Sequence, residues 1–319
     1  TRWDKSTSEF IDYWFDRETQ LELFGLMVAI ERIEDIQIKN FLKLAFSAII
    51  IKKTGGVSLA LDLAHTRPHR AKLIYKQNGD ILEGAEYLTQ PVKNLSYATK
   101  RLRSPFLEFE KKVEGNLGGI LPQGNHSKAR ITFGNAENLP IANDTIDIIV
   151  TSPPYASNAI DYMRAHKFSL VWFGYPVSHL SKKRGTYIGG EMTKDVIFEE
   201  LPRFTSQIVI EISQRSHKKG LVLARYYSEM FRGLNEMYRV LKPGKKAMLV
   251  VGNSILEGCS TQTHLCLADI GKQIGFSSPN IIERNLDRDR RMMPTGKMVD
   301  ENSQIQQRMH KEYVLEFEK

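Results

Sequence analysis

The sequence predicts an α/β protein: a mostly parallel sheet with an antiparallel last strand, preceded by a mainly helical region. Three observations predict it. Apolar residues recur at helical intervals through the first third of the chain, and short strand-like runs alternate with helical ones in the rest. Between the two, residues 114–127 hold four glycines and a proline, a composition that separates packing units. The expected division is 1–125, mainly helical, and 126–319, sheet-forming.

Taken in order, residues 11–16 form an aromatic cluster. Leu23, Phe24, Leu26, Met27, Ile30 and Ile33 then recur at helix-like intervals over 19–38. A second helix is expected over 36–52, ended by Lys52-Lys53 and Gly55-Gly56. A weaker helix is expected over 92–102 and another over 106–113. Residues 129–133 read as a short strand. Residues 146–150, apolar apart from Asp147, read as a strand buried on both faces of a parallel sheet. Helices follow over 158–173, 198–216 and 225–241, the last stopped by Lys242-Pro243-Gly244. A strand at 247–251, a helix over 265–274 capped by Gly275, and strands at 281–285 and 313–317 complete the pattern.

A chain of 319 residues with 41% hydrophobic and 26% charged content is an ordinary globular composition. The net charge of +8 favours a polyanionic partner. Cys259 and Cys266 flank His264 without metal-type spacing and read as thiols in a reducing compartment. No signal peptide and no apolar run of bilayer length is visible, so the expectation is a cytoplasmic protein without a membrane partner. The chain starts at Thr1 with no initiator Met, which reads as a chain that begins partway through a longer protein.

The most informative stretch is the end of the strand at 146–150, where Thr151 leads into Ser152-Pro153-Pro154-Tyr155. Two prolines fix φ twice and remove two backbone donors, and they push Ser152 into an extended conformation. The result is a rigid platform carrying a hydroxyl, bare carbonyls and a ring, at the sheet edge where open α/β sheets place their chemistry. A Pro-rich loop that merely ends a strand is the plain alternative.

Ser-Pro-Pro-Tyr resembles the catalytic motif of S-adenosylmethionine-dependent amino-group DNA methyltransferases of the cytosine-N4/adenine-N6 family. Three more features stand in that family's order. The run from Gly134 to Pro140 resembles its adenine-contacting loop, residues 239–244 its helix-to-strand turn, and residues 312–317 its last antiparallel strand. The resemblance is specific from about Arg130 onward. It implies a Rossmann-like sheet, S-adenosyl-L-methionine as cofactor and DNA as partner, with cytosine N4 favoured over adenine N6 because the first motif residue is Ser. It further implies that Ser152 and Pro153 polarise the amine, that Pro154 stiffens the platform, and that Tyr155 stacks on a base taken out of the duplex. Asn135 and Ala136 would meet the cofactor's adenine beside Thr151, although Asp is usual where Asn135 stands. Asp161 and His166 could line the same mouth, or simply start a helix and sit on its polar face.

The basic residues Arg67, Arg70, Lys182, Lys183, Arg184, Arg288, Arg290 and Arg291 are candidate phosphate contacts, with solvated surface as the alternative for each. Lys182-Lys183-Arg184 is expected on a loop. The family's strand–Gly-x-Gly–helix cofactor turn is not found. An upstream segment, a second chain that supplies the loop, or a chain that has lost cofactor binding would each account for that. A methyltransferase acting on RNA or protein and a non-catalytic nucleic-acid-binding subunit therefore stay open. A restriction partner, a defence system and a housekeeping role are all compatible with the sequence.

Overall fold

The computed structural model describes residues 3–52, 54–63, 68–89, 95–120, 129–156, 162–285 and 311–319. The chain forms two units, one of Thr1–Lys128 with Asp161–Arg184, the other of Ala129–Ile160 with Gly185–Lys319.

In the first unit, α1 (Lys5–Trp14), α2 (Arg17–Glu31) and α3 (Ile36–Ile50) each start on an aspartate. Asp4 accepts from the Thr7 N–H, Asp16 from Glu18, and Asp35 from Gln37 and Ile38. The periodicity over 19–38 is therefore two helices, because Asp35 caps a new start inside it. Strands β1 (Ala60–Asp62) and β2 (His69–Arg70) pair antiparallel. Strand β3 (Leu73–Tyr75) lies between β4 (Ile81–Glu83) and β5 (Thr99–Arg101), and a short α4 (Glu86–Thr89) follows β4. The helix expected over 92–102 is corrected in its described part. A 3-10 turn at Leu95–Ala98 gives way to β5, because the open edge of β3 offers Thr99 to Arg101 a ladder that outweighs local propensity. Helix α5 (Pro105–Leu117) starts on Ser104 with proline at its first turn.

Helices α6 (Tyr162–Leu170) and α7 (Val177–Arg184) also belong to this unit, although the sequence pattern groups them with the sheet. The reason is aromatic. Phe168 packs edge-on to Phe10 and near Phe15, while Trp172 takes Trp3 and Phe15 edge-to-face. The indole of Trp3 donates to the Val171 carbonyl at 2.9 Å.

The second unit is a four-stranded sheet with helices against it. Its elements are β6 (Ile146–Thr151), α8 (Arg203–Arg215), α9 (His217–Val240), β7 (Leu241–Gly252), the hairpin β8 (Ile255–Leu256) and β9 (Cys259–Ser260), α10 (Thr263–Ile274), β10 (Asn280–Asn285) and β11 (Lys311–Glu318). The order is β10-β11-β7-β6, with β6 parallel to β7 and β11 antiparallel to both its neighbours. Three strands thus point one way and the last strand the other. Gly244, at φ +71°, turns the Lys-Pro-Gly corner, and Gly275, at φ +119°, ends α10.

The register separates two faces. Ala247, Leu249 and Val251 of β7 align with Phe317, Leu315 and Tyr313 of β11, and this face is buried against α9 and α10. Gly271 of α10 is the closest approach, since a Cβ there would lie 2.3 Å from the Phe317 ring. The other face carries Val150 beside Met248, and Val250 beside Val314 beside Ile282.

Two expectations change. Residues 129–133 form no strand, and Ile131 and Phe133 are 97% and 92% exposed; no strand among the described residues lies alongside to pair with them. Strand β6 is not buried on both faces: Ile148 is 59% and Val150 71% exposed, because β6 is an edge strand and the helices pack on the face opposite to these two side chains.

Candidate active site

Strand β6 delivers the platform to the sheet's carboxyl edge, where three elements hold it. The Ser152 hydroxyl donates to the Val250 carbonyl of β7 at 3.2 Å. The Tyr226 hydroxyl of α9 donates to the Pro154 carbonyl at 2.8 Å. The Tyr155 hydroxyl donates to Glu312 of β11 at 3.0 Å. Ala156, fully buried, roots the segment in the core. Between these anchors Ser152 is exposed, and the Pro153 carbonyl meets no donor among the described residues. Because the serine's hydrogen is committed to Val250, its lone pairs remain to accept. The platform therefore offers two neighbouring acceptors and no competing donor.

Tyr155 is half-buried against the core. Burial pushes its phenol up, with Glu312 adding to the rise, while a hydrogen-bond contact with Ser152 and the charge of Arg284 oppose it. Glu312 sits opposite Gly252 on one side and Arg284 on the other, and the Arg284 guanidinium hydrogen-bonds its second oxygen. At the same edge His264 stacks on Tyr313 at 3.7 Å and pairs with Asn253 at 3.0 Å. Desolvation lowers the His264 pKa. Sequence reasoning passes over Tyr226, Glu312, Arg284, Asn253 and His264. The one available signal is their position at the ends of strands, on the longest amphipathic helix or, for His264, in the first turn of α10.

Asn135 is exposed and closes a turn, its Oδ1 accepting from Glu137 and its carbonyl from Asn138. Arg239 and Glu236 of α9 fasten this loop through the backbone of Leu139 and Ile141. Asn135 and Glu137 border a cleft of about 490 Å³ with Met192, Asp195, Arg225 and Arg232. None of Ser152 to Tyr155 lines that cleft. Ala136 is exposed beside Asn135, and Thr151 is the last residue of β6, half-buried opposite Leu249.

Beneath the cleft, Arg225 and Glu229 form a buried pair at 2.7 Å. Arg225 also donates to the carbonyls of Gly185, Tyr187 and Met192, and Glu229 accepts from the Gly189 N–H.

The basic candidates are scattered. Arg70 lies on β2, pairs with Glu83 and covers the Tyr13 ring. Lys182, Lys183 and Arg184 are not on a loop but form the exposed last turn of α7, where cations complement the helix dipole. Arg67, Arg288, Arg290, Arg291 and Asp161 lie outside the described residues. His166 is on α6 in the first unit, beside Tyr162, and burial lowers its pKa. Among the described residues there is no strand–Gly-x-Gly–helix turn, no metal-ligating group of three, and no helix long and apolar enough to cross a membrane.

No protein-family model matches the chain. It is 23% identical over 275 residues to the Type II methyltransferase M.MvaI of Kocuria varians, a match that covers 82% of this chain and 56% of that one. It is also 23% identical over 306 residues to M.AvaI of Nostoc sp. PCC 7120, covering 88% of this chain and 58% of that one. The chain is similar in sequence to Type II methyltransferases. It spans little more than half the length of these methyltransferase relatives. Among solved structures, a Thermus thermophilus protein assigned as a DNA modification methylase is 15% identical, with 58% of this chain and 50% of that chain covered and a TM-score of 0.29. A second structure of that protein, complexed with S-adenosyl-L-methionine, is 16% identical over 58% of this chain and 53% of that one, also with a TM-score of 0.29.

Proposed function

We propose that the chain carries the base-holding half of an amino-group DNA methyltransferase, with cytosine N4 the favoured target and adenine N6 the second. The observation that carries this reading is the acceptor pair at Ser152 and Pro153. An exocyclic amine is a poor nucleophile because its lone pair is delocalised into the ring. Two acceptors that take its two hydrogens draw the nitrogen toward tetrahedral geometry and return the lone pair to it. Ser152 Oγ and the Pro153 carbonyl supply those acceptors, fixed in advance by Val250, Tyr226 and the two proline rings. The Tyr155 ring supplies a face for a base taken out of the duplex.

S-adenosyl-L-methionine, when bound, supplies the methyl group. The fit of the described residues to it is partial. Asn135 offers its amide N–H₂ to a ring nitrogen while its Oδ1 serves the local turn, but no glycine turn is present among them to receive the rest of the molecule. We therefore assign the cofactor turn to a complementary segment or second chain. Support comes from the open apolar face around Ile148 and Val150 and from the share of the relatives' length that this chain spans. The arrangement of β6, β7, β10 and β11 supports a Rossmann-like sheet completed in this way.

The missing turn also favours a second reading, a nucleic-acid-binding subunit without catalysis of its own. Transfer of labelled methyl groups from the cofactor to DNA, tRNA and protein, assayed in parallel with the complete enzyme, separates the readings. Labelling of DNA alone, on cytosine, is expected. Labelling of tRNA or protein instead would move the substrate, and labelling of none would leave the binding subunit. Calorimetry of this chain by itself with S-adenosyl-L-methionine is expected to give weak or no binding.

A further inference from the structure

Two prolines fix the backbone of the platform, but they do not fix the ring that ends it. Tyr155 still turns about its own side-chain torsions, and a base stacks face to face only on a ring held at one angle. A loosely held ring would have to be ordered at every encounter, at a cost to binding and rate.

The described residues show what orders it. The ring packs against the core of the second unit, and its hydroxyl donates to Glu312 Oε1 at 3.0 Å. Glu312 stands on β11, which is not a neighbour of β6, since β7 lies between them. The β7 residue opposite Glu312 is Gly252, which puts no side chain between the phenol and the carboxylate. The Glu312 side chain is only 12% exposed, and Arg284, its cross-strand neighbour on β10, supplies the countercharge that a sheltered carboxylate needs. Each carboxylate oxygen thus has its own partner, the phenol on Oε1 and the Arg284 guanidinium on Oε2. An ionised acceptor makes the stronger hydrogen bond. Because a phenol O–H lies in the plane of its ring, a fixed acceptor settles the tilt of the ring as well as its direction.

We infer that Glu312 is a positioning residue for the target base, holding the Tyr155 ring at the angle at which the extruded base stacks. This rests on the methyltransferase reading above. Glu312 acts through the phenol alone and takes no chemical step itself. The ring is set before the DNA arrives, from across the sheet.

The test uses the complete enzyme and duplex DNA carrying pyrrolocytosine at the methylated position, or 2-aminopurine where that position is adenine. Emission of either analogue rises as it leaves the stack and falls when an aromatic ring covers it. Single-turnover methylation of the natural duplex and thermal unfolding are measured beside it. Glu312→Ala removes the acceptor and is expected to lower the methylation rate about 3- to 10-fold, the scale of ordering one side chain anew. It should also brighten the extruded analogue. Tyr155→Phe keeps the ring without its hydroxyl and should match Glu312→Ala in both readouts. The double variant should be little worse than either, because both break the same bond. Glu312→Gln keeps an acceptor oxygen and should recover most of the rate and the quenching. A Glu312→Ala enzyme that unfolds earlier but leaves the emission unchanged would overturn the inference, since Glu312 would then only brace the sheet. Tyr155→Phe at the parent rate and emission would overturn it too, whether or not the Glu312 variants fold. So would Glu312→Gln as impaired as Glu312→Ala. A parent enzyme that neither methylates DNA nor changes the emission would count against the methyltransferase reading, and this inference would fall with it.

Discussion

The buried hydroxyl of Tyr226 donates to the carbonyl of Pro154 across 2.8 Å, so the longest helix of the second unit is fastened to the middle of the Ser-Pro-Pro-Tyr platform. Burial raises the pKa of this phenol, which favours its protonated, donating form. Tyr226→Phe removes the donor and leaves a carbonyl without its partner. A loss of about 1–2 kcal/mol is expected in denaturant unfolding, together with a slower methylation rate in the complete enzyme. Unchanged values in both would show that the prolines alone hold the platform.

Ser152→Ala removes one of the two acceptors together with the bond to Val250. Methylation by the complete enzyme should fall by roughly 10²-fold or more, the scale of losing one preorganised polar contact to a transition state. DNA binding, measured by anisotropy, should stay within about twofold. Methylation at the parent rate would remove the serine from the chemistry.

The Arg225–Glu229 pair predicts a different failure. Glu229→Gln leaves a buried guanidinium without its countercharge and weakens the hold on Gly189. A cost of about 3 kcal/mol is expected, with new protease cleavage between Gly185 and Met192. Replacement of both partners by apolar residues should recover part of the stability but not the protection, because the carbonyls of Gly185, Tyr187 and Met192 would still lack their donor.

Lys100 makes stability depend on pH. Burial, with a smaller push from Arg103, lowers its pKa to about 7, and its ammonium reaches the carbonyls of Thr54 and Ala60. The unfolded chain holds that proton up to the ordinary lysine value of 10.5, so between about 7 and 10.5 it binds more protons than the folded one. Stability should therefore rise with pH across that window, by on the order of 5 kcal/mol at most, and level off on either side of it. Urea unfolding of the first unit at pH 6.5 and 9.5 reads the slope, which Lys100→Met should abolish.

Much of this was legible in the chain itself. Ser-Pro-Pro-Tyr, the Lys-Pro-Gly corner and the final strand are local signals, fixed by ring closure, glycine and alternation, and the structure forms each where the residues point. What sequence could not carry was pairing. Residues 129–133 have strand composition but no neighbouring strand among the described residues. Thr99 to Arg101 read as helix until β3 supplied an edge. Helix α6 has the periodicity expected of it, and only its aromatic contacts with Phe10, Phe15 and Trp3 decide which unit it joins. Glu312 gives no signal beyond its place near a strand end, because its relation to Tyr155 depends on the antiparallel register of β7, β10 and β11.

The outward face of the sheet bears on how the protein has to be made. Val150, Ile148 and Ile282 stand at least half-exposed on it, and β6 beside them has backbone groups with no ladder partner on its outer side among the described residues. Such a surface sticks to whatever meets it first. Expressed alone, the chain should gather into higher-order species and brighten hydrophobic dyes, and Ile148→Lys combined with Val150→Lys should disperse it. In a cell, on the reading proposed above, the timing of synthesis would then matter as much as affinity: a complementary segment would have to arrive before another copy does.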